Sequence, residues 1–169
     1  VPHTMATCTM AGRDVTRVGF GAMQLGGLPG RPAVDRETAI DVVRTAIELG
    51  VNHIDTAGFY GPGTANEVIR EALTPYGDDL VIVSKVGAVH NGERRVLAQR
   101  PEQLRAQVED DLRGLGVEQV GVVNIRSVHH GLRGGFSVPD DQIVALDDQL
   151  AELIALREEG KIGGLGRVL

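Results

Sequence analysis

The chain has 169 residues, a length that suits one domain with a sizeable core. Its composition, 42% hydrophobic and 24% charged, is that of a folded globular protein and excludes a disordered one. A net charge of -6 with no basic run, and only 3% aromatic residues, exclude a nucleic-acid partner, which needs clustered cations and stacking rings.

The single cysteine, Cys8, can form neither an intrachain disulfide nor a thiolate zinc site. No apolar run reaches the ~18 residues of a membrane span, and residues 1–10 lack the basic start and apolar stretch of a signal peptide. The expectation is a cytoplasmic protein with no membrane partner.

Thr7 to Met10 and Asp14 to Arg17 flank Ala11-Gly12-Arg13, which reads as a hairpin. Val18 to Leu25 reads as a strand. Asp35 caps a first helix with Ala39, Ile40, Val43, Ala46 and Ile47 on one face, closed by Gly50. Val51 to Thr56 is a second strand, followed by a helix over Asn66 to Leu73 that Pro75 stops. Leu80 to Lys85 opens with the continuous apolar run of a strand covered on both faces. Pro101 opens a third helix with Leu104, Val108, Leu112 and Leu115 inward and Gly116 at its end; Glu109, Asp110, Asp111 and Arg113 read as its solvated face. Val120 to Arg126 is a fourth strand and 129–139 a Gly-rich loop. A fourth helix is expected over Asp141 to Glu159, with Ile143, Leu146, Leu150, Leu153 and Ile154 inward, and a last strand over Ile162 to Leu169. Five parallel-type strands alternating with four helices, after an N-terminal hairpin, make an α/β fold. The dinucleotide fingerprint is not met: Gly19-Phe20-Gly21-Ala22-Met23-Gln24 lacks the third glycine, and no helix follows at once.

Polar residues gather where the strands end: Asp55 and Thr56, Ser84 and Lys85, Arg126 and Ser127. In a parallel barrel that edge is where active sites are built. A charge at the end of a buried strand needs a partner, and Asp55 and Lys85 can supply each other. Tyr60 follows in the turn Gly58-Phe59-Tyr60-Gly61-Pro62, which can bring its hydroxyl back over the strand ends. A phenol beside an ammonium can protonate an oxygen on which negative charge develops, because the cation favours the phenolate left behind. Lys85 alone would also admit Schiff-base chemistry of an isomerase or aldolase, against which the spacing of Asp55 and Tyr60 weighs. His53 reads as a bottom-face or helix-facing residue, and His3 and His90 as exposed loop residues. No His-Glu-x-x-His or cysteine pair offers a metal site.

Asp55-Thr56-Ala57 with Tyr60-Gly61 and Glu67, then Ser84-Lys85, then Gly160-Lys161-Ile162 resemble the aldo-keto reductase superfamily. Gly19 to Leu25 and Asp35-Arg36 resemble the opening of its bacterial members, and the likeness runs from Cys8 to Gly166. The resemblance implies a (β/α)8 TIM barrel closed at its bottom by the hairpin, and NADPH-dependent reduction of a small aldehyde or ketone. It makes Tyr60 the general acid, Lys85 the residue that tunes it and Asp55 the anchor of Lys85. It also places Asp55 near the nicotinamide ribose, with Met23 and Gln24, at the end of the first strand, against cofactor or substrate.

Two departures qualify the likeness. Where the family places a histidine at the end of the fourth strand, this chain has Arg126. Arginine can donate hydrogen bonds to a carbonyl oxygen but, being always charged, cannot act as a neutral imidazole; His129 and His130 are the alternatives for that role. The family also continues from Gly-Leu-Gly into Val-Ser-Asn, which holds the nicotinamide carboxamide, whereas Gly164-Leu165-Gly166 leads into Arg167-Val168-Leu169. Residues 1–169 therefore read as the N-terminal five β/α units of the barrel, incomplete at the C-terminus. Five such strands cannot close a barrel. Open strand edges imply weak cofactor affinity and self-association through those edges. The alternative to the enzyme is a truncated remnant or cofactor-binding regulatory subunit of the same fold without turnover.

Overall fold

The computed structural model describes residues 5–27, 33–91, 94–126 and 143–168. It opens on a hairpin of β1 (Thr7–Met10) and β2 (Arg13–Thr16), in which Met10 stands opposite Arg13. So tight a turn needs positive φ at both central residues, supplied by Ala11 (φ 48°) and Gly12 (φ 77°). Next come β3 (Phe20–Gly21), β4 (His53–Asp55) and β5 (Val81–Val86). A second hairpin follows, β6 (Ala88–Asn91) with β7 (Arg94–Leu97), and then β8 (Val120–Arg126) and β9 (Ile162–Val168).

Strands β3, β4, β5, β8 and β9 form one parallel sheet in that order. Each strand lies beside the next with no reversal, which is the winding of a (β/α) barrel wall; a doubly wound sheet reverses at a switch point. Helices α1 (Arg36–Glu48), α2 (Thr64–Leu73), α3 (Pro101–Leu115) and α4 (Leu146–Glu158) fill the crossovers and pack on one another in sequence. Asp35 caps α1 by accepting from the Thr38 amide at 3.0 Å, and this bond holds its carboxyl below the usual range.

Alternation along the strands sorts their side chains. Ile54, Ile82, Val123 and Ile125 point outward into the helices and join Val43, Ile69, Leu104 and Leu153 in the main core. Val81, Val83 and Val122 point to the other face and are covered by Val15 and Met10 of the first hairpin. The hairpin thus seals the bottom of the inner face. Its tip rests on β9, where a Cβ on Gly164 would stand 2.9 Å from that of Ala11.

The expected order of elements holds, with local corrections. The strand expected over 18–25 is only Phe20–Gly21, and Ala22–Gly26 is a 3-10 helix. Residues three apart eclipse on such a turn, so Ala22 and Leu25 are buried together. Met23 and Gln24 therefore ride on this turn and not on a strand. The hairpin β6–β7 was not foreseen, and His90 lies on its first strand and not in a loop. Helix α4 begins at Leu146, later than expected, with the Gln149 amide donating to the Val144 carbonyl before it. Its buried face is Gln149, Leu153 and Leu156, so Ile143 and Ile154 are exposed and not inward. His53 is half-buried with its ring against Gly19, where a Cβ would overlap it. No helix among the described residues is long and apolar enough to cross a membrane.

Candidate functional site

Parallel register brings three predicted residues together at the C-terminal end of the sheet. Asp55 is the last residue of β4 and Lys85 lies near the end of β5, which pairs with it. The Lys85 ammonium donates to Asp55 Oδ1 in a close ion pair and to the Thr56 carbonyl at 3.2 Å. Its side chain is 13% exposed against 41% for Asp55, so the cation is held inside while the carboxylate keeps an open edge. Tyr60 arrives from the turn between β4 and α2, its amide donating to the Ala57 carbonyl at 2.9 Å. Lys85 Nζ stands over its ring, 5.0 Å from the centre, a cation–π arrangement. Phe59 steadies the ring edge-on at a centroid distance of 5.3 Å.

The rim around this trio is built by β3, β8 and the 3-10 turn. Gly21 is in register with Asp55, and a Cβ added there would meet nothing within 4 Å, which leaves open space beside the carboxylate. Met23, on the turn that follows, is 41% exposed. Arg126 ends β8, two residues beyond Asn124, the partner of Lys85, and so on the same face. The buried Gln99 amide fixes its backbone by donating to the Arg126 carbonyl at 2.7 Å. His129 and His130 lie outside the described residues. No group of three or more His, Cys, Asp or Glu among the described residues is placed to hold a metal ion.

Behind Lys85, on the helix side of the sheet, lies a polar network the sequence reading missed. Thr56 Oγ1 donates to Asn66 Oδ1 at 2.8 Å, Asn66 Nδ2 donates to Asp111 Oδ1 at 2.8 Å, and Ser84 Oγ donates to Asp111 Oδ2 at 2.5 Å. All four residues are at most 2% exposed. Asp111, expected on the solvated face of α3, is therefore buried. Its spacing carried the signal: Leu104, Val108, Asp111 and Leu115 form the buried stripe, while Leu112 is only partly buried. Burial pushes the Asp111 carboxyl up to about 6, although the bonds from Ser84 and Asn66 and the charge of Lys85 oppose the rise. Beside it, a pocket of about 340 Å³ opens between the β4–α2 turn, β6 and α3, lined by Phe59, Lys85, Ala88, His90, Asp110 and Asp111.

Comparison with known proteins agrees with this fold. A model of the aldo/keto reductase family matches residues 17–167. Pyridoxine 4-dehydrogenase of Escherichia coli (strain K12) is 42% identical over 166 residues, covering 95% of this chain and 54% of that protein. An aldo-keto reductase from Bacillus halodurans, in its holo form, superposes with a TM-score of 0.79 over 98% of this chain and 51% of its own, at 22% identity. The glycerol dehydrogenase of Gluconobacter oxydans superposes with a TM-score of 0.76 at 27% identity, covering 98% of this chain and 48% of its own. The chain spans about half the length of the curated relatives it matches.

Proposed function

The chain belongs to the aldo/keto reductase family of oxidoreductases, and we propose that its strand-end site serves the reduction of an aldehyde or ketone to an alcohol, with NADPH as hydride source. The observation that carries this reading is the Lys85 ammonium, anchored by Asp55 and the Thr56 carbonyl under the face of Tyr60.

The residues present fit the nicotinamide end of such a cofactor. The open edge of the Asp55 carboxylate can accept from ribose hydroxyls, and the space over Gly21 beside Met23 and Gln24 suits a flat ring. Bound there, NADPH supplies the hydride that adds to the carbonyl carbon. Tyr60 donates its phenolic proton to the carbonyl oxygen as charge develops on it. Lys85 stabilises the phenolate that remains, and Asp55 keeps Lys85 in place. Arg126, on the same face one strand away, donates to the carbonyl oxygen and orients it. Solvent then returns a proton to Tyr60.

The E. coli relative is named for pyridoxine, whose hydroxymethyl group and the matching ring aldehyde form an alcohol–carbonyl couple. An aromatic aldehyde of this kind is the substrate class to test first. Aldehyde-dependent loss of NADPH absorbance is expected, with kcat lowered roughly 100- to 10,000-fold by Tyr60→Phe. Turnover unaffected by Tyr60→Phe would overturn the assignment of the acid. One observation favours a second reading, an inactive remnant of the same fold without turnover: β9 carries Arg167 and Val168 after Gly166, with no Ser-Asn pair to hold the nicotinamide carboxamide. On that reading NADPH binds weakly and no aldehyde is consumed.

A further inference from the structure

Thr56, the residue after β4, and Ser84, on β5, are both tied to one carboxylate on α3. Ser84 is the residue before Lys85 and faces the opposite side of β5, where it donates to Asp111 Oδ2 at 2.5 Å. Thr56 follows Asp55, and its carbonyl is one of the acceptors of Lys85 Nζ. Its hydroxyl reaches Asp111 through Asn66 in two bonds of 2.8 Å. The Gly58 backbone closes over the same carboxylate, since a Cβ there would stand 2.8 Å from Asp111 Oδ1. A buried carboxylate is costly unless donors satisfy it, and this one accepts from Ser84 on β5 and from Asn66 on α2, which in turn accepts from Thr56 at the end of β4.

We propose that Asp111 is a positioning residue for Lys85, its ionised carboxylate holding the ends of β4 and β5 at the separation at which Lys85 spans Asp55 and the Thr56 carbonyl. This deepens the reductase reading of the same site and rests on it for its bearing on catalysis. As a carboxylate, Asp111 accepts from Ser84 and Asn66 at once. Protonated, it must itself donate through one oxygen, and the Ser84 hydroxyl hydrogen has to rotate so that its oxygen accepts. Protonation therefore reverses the hydrogen bond that ties α3 to β5 immediately behind Lys85 and removes a negative charge beside its ammonium. Burial pushes the carboxyl up to about 6, so the change falls close to neutrality. The charged groups around Asp111 are Lys85 from β5 and Asp110 from its own helix; β6 contributes His90 to the adjoining pocket, and α2 contributes the neutral Asn66.

The chain has only two lysines, Lys85 and Lys161, so a spectrum of 15N-labelled ammonium groups resolves the first with the second as internal control. In the 169-residue chain, the Lys85 signal is expected to shift between about pH 5 and 7 with a single midpoint. The Lys161 signal should stay still over the same range. Asp111→Asn should remove that transition, His90→Gln should leave it intact, and Ser84→Ala should displace the Lys85 signal at constant pH. A Lys85 signal that is flat through the range, or that titrates unchanged in Asp111→Asn, overturns the proposal. Ser84→Ala, which alters neither charge nor packing volume by much, keeps the test open if Asp111→Asn folds poorly; an unmoved Lys85 signal in it counts against the tie. The spectra need no turnover, so failure of the aldehyde assay and failure of this proposal are separate results.

Discussion

The backbones of Gly26 and Gly61 touch: a Cβ on Gly61 would stand 2.3 Å from the Gly26 carbonyl oxygen, and one on Gly26 would stand 2.4 Å from the Gly61 nitrogen. The contact joins the 3-10 turn carrying Met23 and Gln24 to the turn carrying Tyr60. Gly61 also sits at φ 57°, where a side chain costs about 1–3 kcal/mol before any clash is counted. Gly61→Ala is expected to lower stability by at least that amount and to move the Tyr60 ring. Urea denaturation and the near-ultraviolet tyrosine signal check both effects; an unchanged midpoint would show that the two turns are not coupled.

Asp111 gives stability an unusual dependence on pH. Its carboxyl is raised from the ordinary 3.8 to about 6, so the folded chain binds that proton more tightly than the unfolded one. Its contribution to stability is therefore greatest below the unfolded value and declines as pH rises through about 6. The shift corresponds to roughly 3 kcal/mol. Relative to Asp111→Asn, the parent chain should gain stability as pH falls from about 7 to 4. Chemical denaturation of the two proteins across that range measures the difference, and a constant gap between them contradicts the burial argument.

Glu159 should act in the opposite sense. The Arg105 hydrogen bonds first, and Lys161 second, hold its carboxyl down at about 2. Arg105 Nη1 and Nη2 donate to its two oxygens at 2.8 and 2.7 Å, joining α3 to the end of α4. A depressed acid stabilises above its unfolded value and loses that contribution as pH falls through the folded one. Because the pair is exposed to solvent, salt screens it. Acid unfolding should begin at a higher pH in Glu159→Gln, with the difference shrinking in high salt; coincident acid transitions would contradict this.

Among the described residues, β9 pairs on one side only, with β8. A free ladder edge with an apolar strand recruits another strand. The 169-residue chain is expected to associate as its concentration rises, which sedimentation velocity would show as growth of species larger than the monomer. A single monomeric boundary at every concentration would mean that the edge is protected.

The parts of this fold that follow from local chemistry were legible in the sequence. Asp35 marked the start of α1, Pro101 and Gly116 marked the ends of α3, and the apolar run before Lys85 marked β5. The meeting of Asp55, Lys85 and Tyr60 was readable because two strand ends and one short turn suffice to make it. Of the buried network only the spacing of Asp111 with Leu104, Val108 and Leu115 was legible. A charge among Glu109, Asp110 and Arg113 looks solvated until Asn66 and Ser84, from two other elements, are placed against it. The start of α4 depended on a contact between Gln149 and Val144 that helical periodicity does not encode.

The seating of Ala11 against Gly164 joins residues from opposite ends of the chain. The hairpin that seals the inner face is synthesised before the strands it covers, since Val81, Val83, Val122 and the bare backbone of Gly164 appear only as synthesis proceeds. Until then Met10 and Val15 have no wall to cover. Contacts so distant along the chain close late and slowly, which leaves the plug waiting, apolar side outward, until those strands have been made.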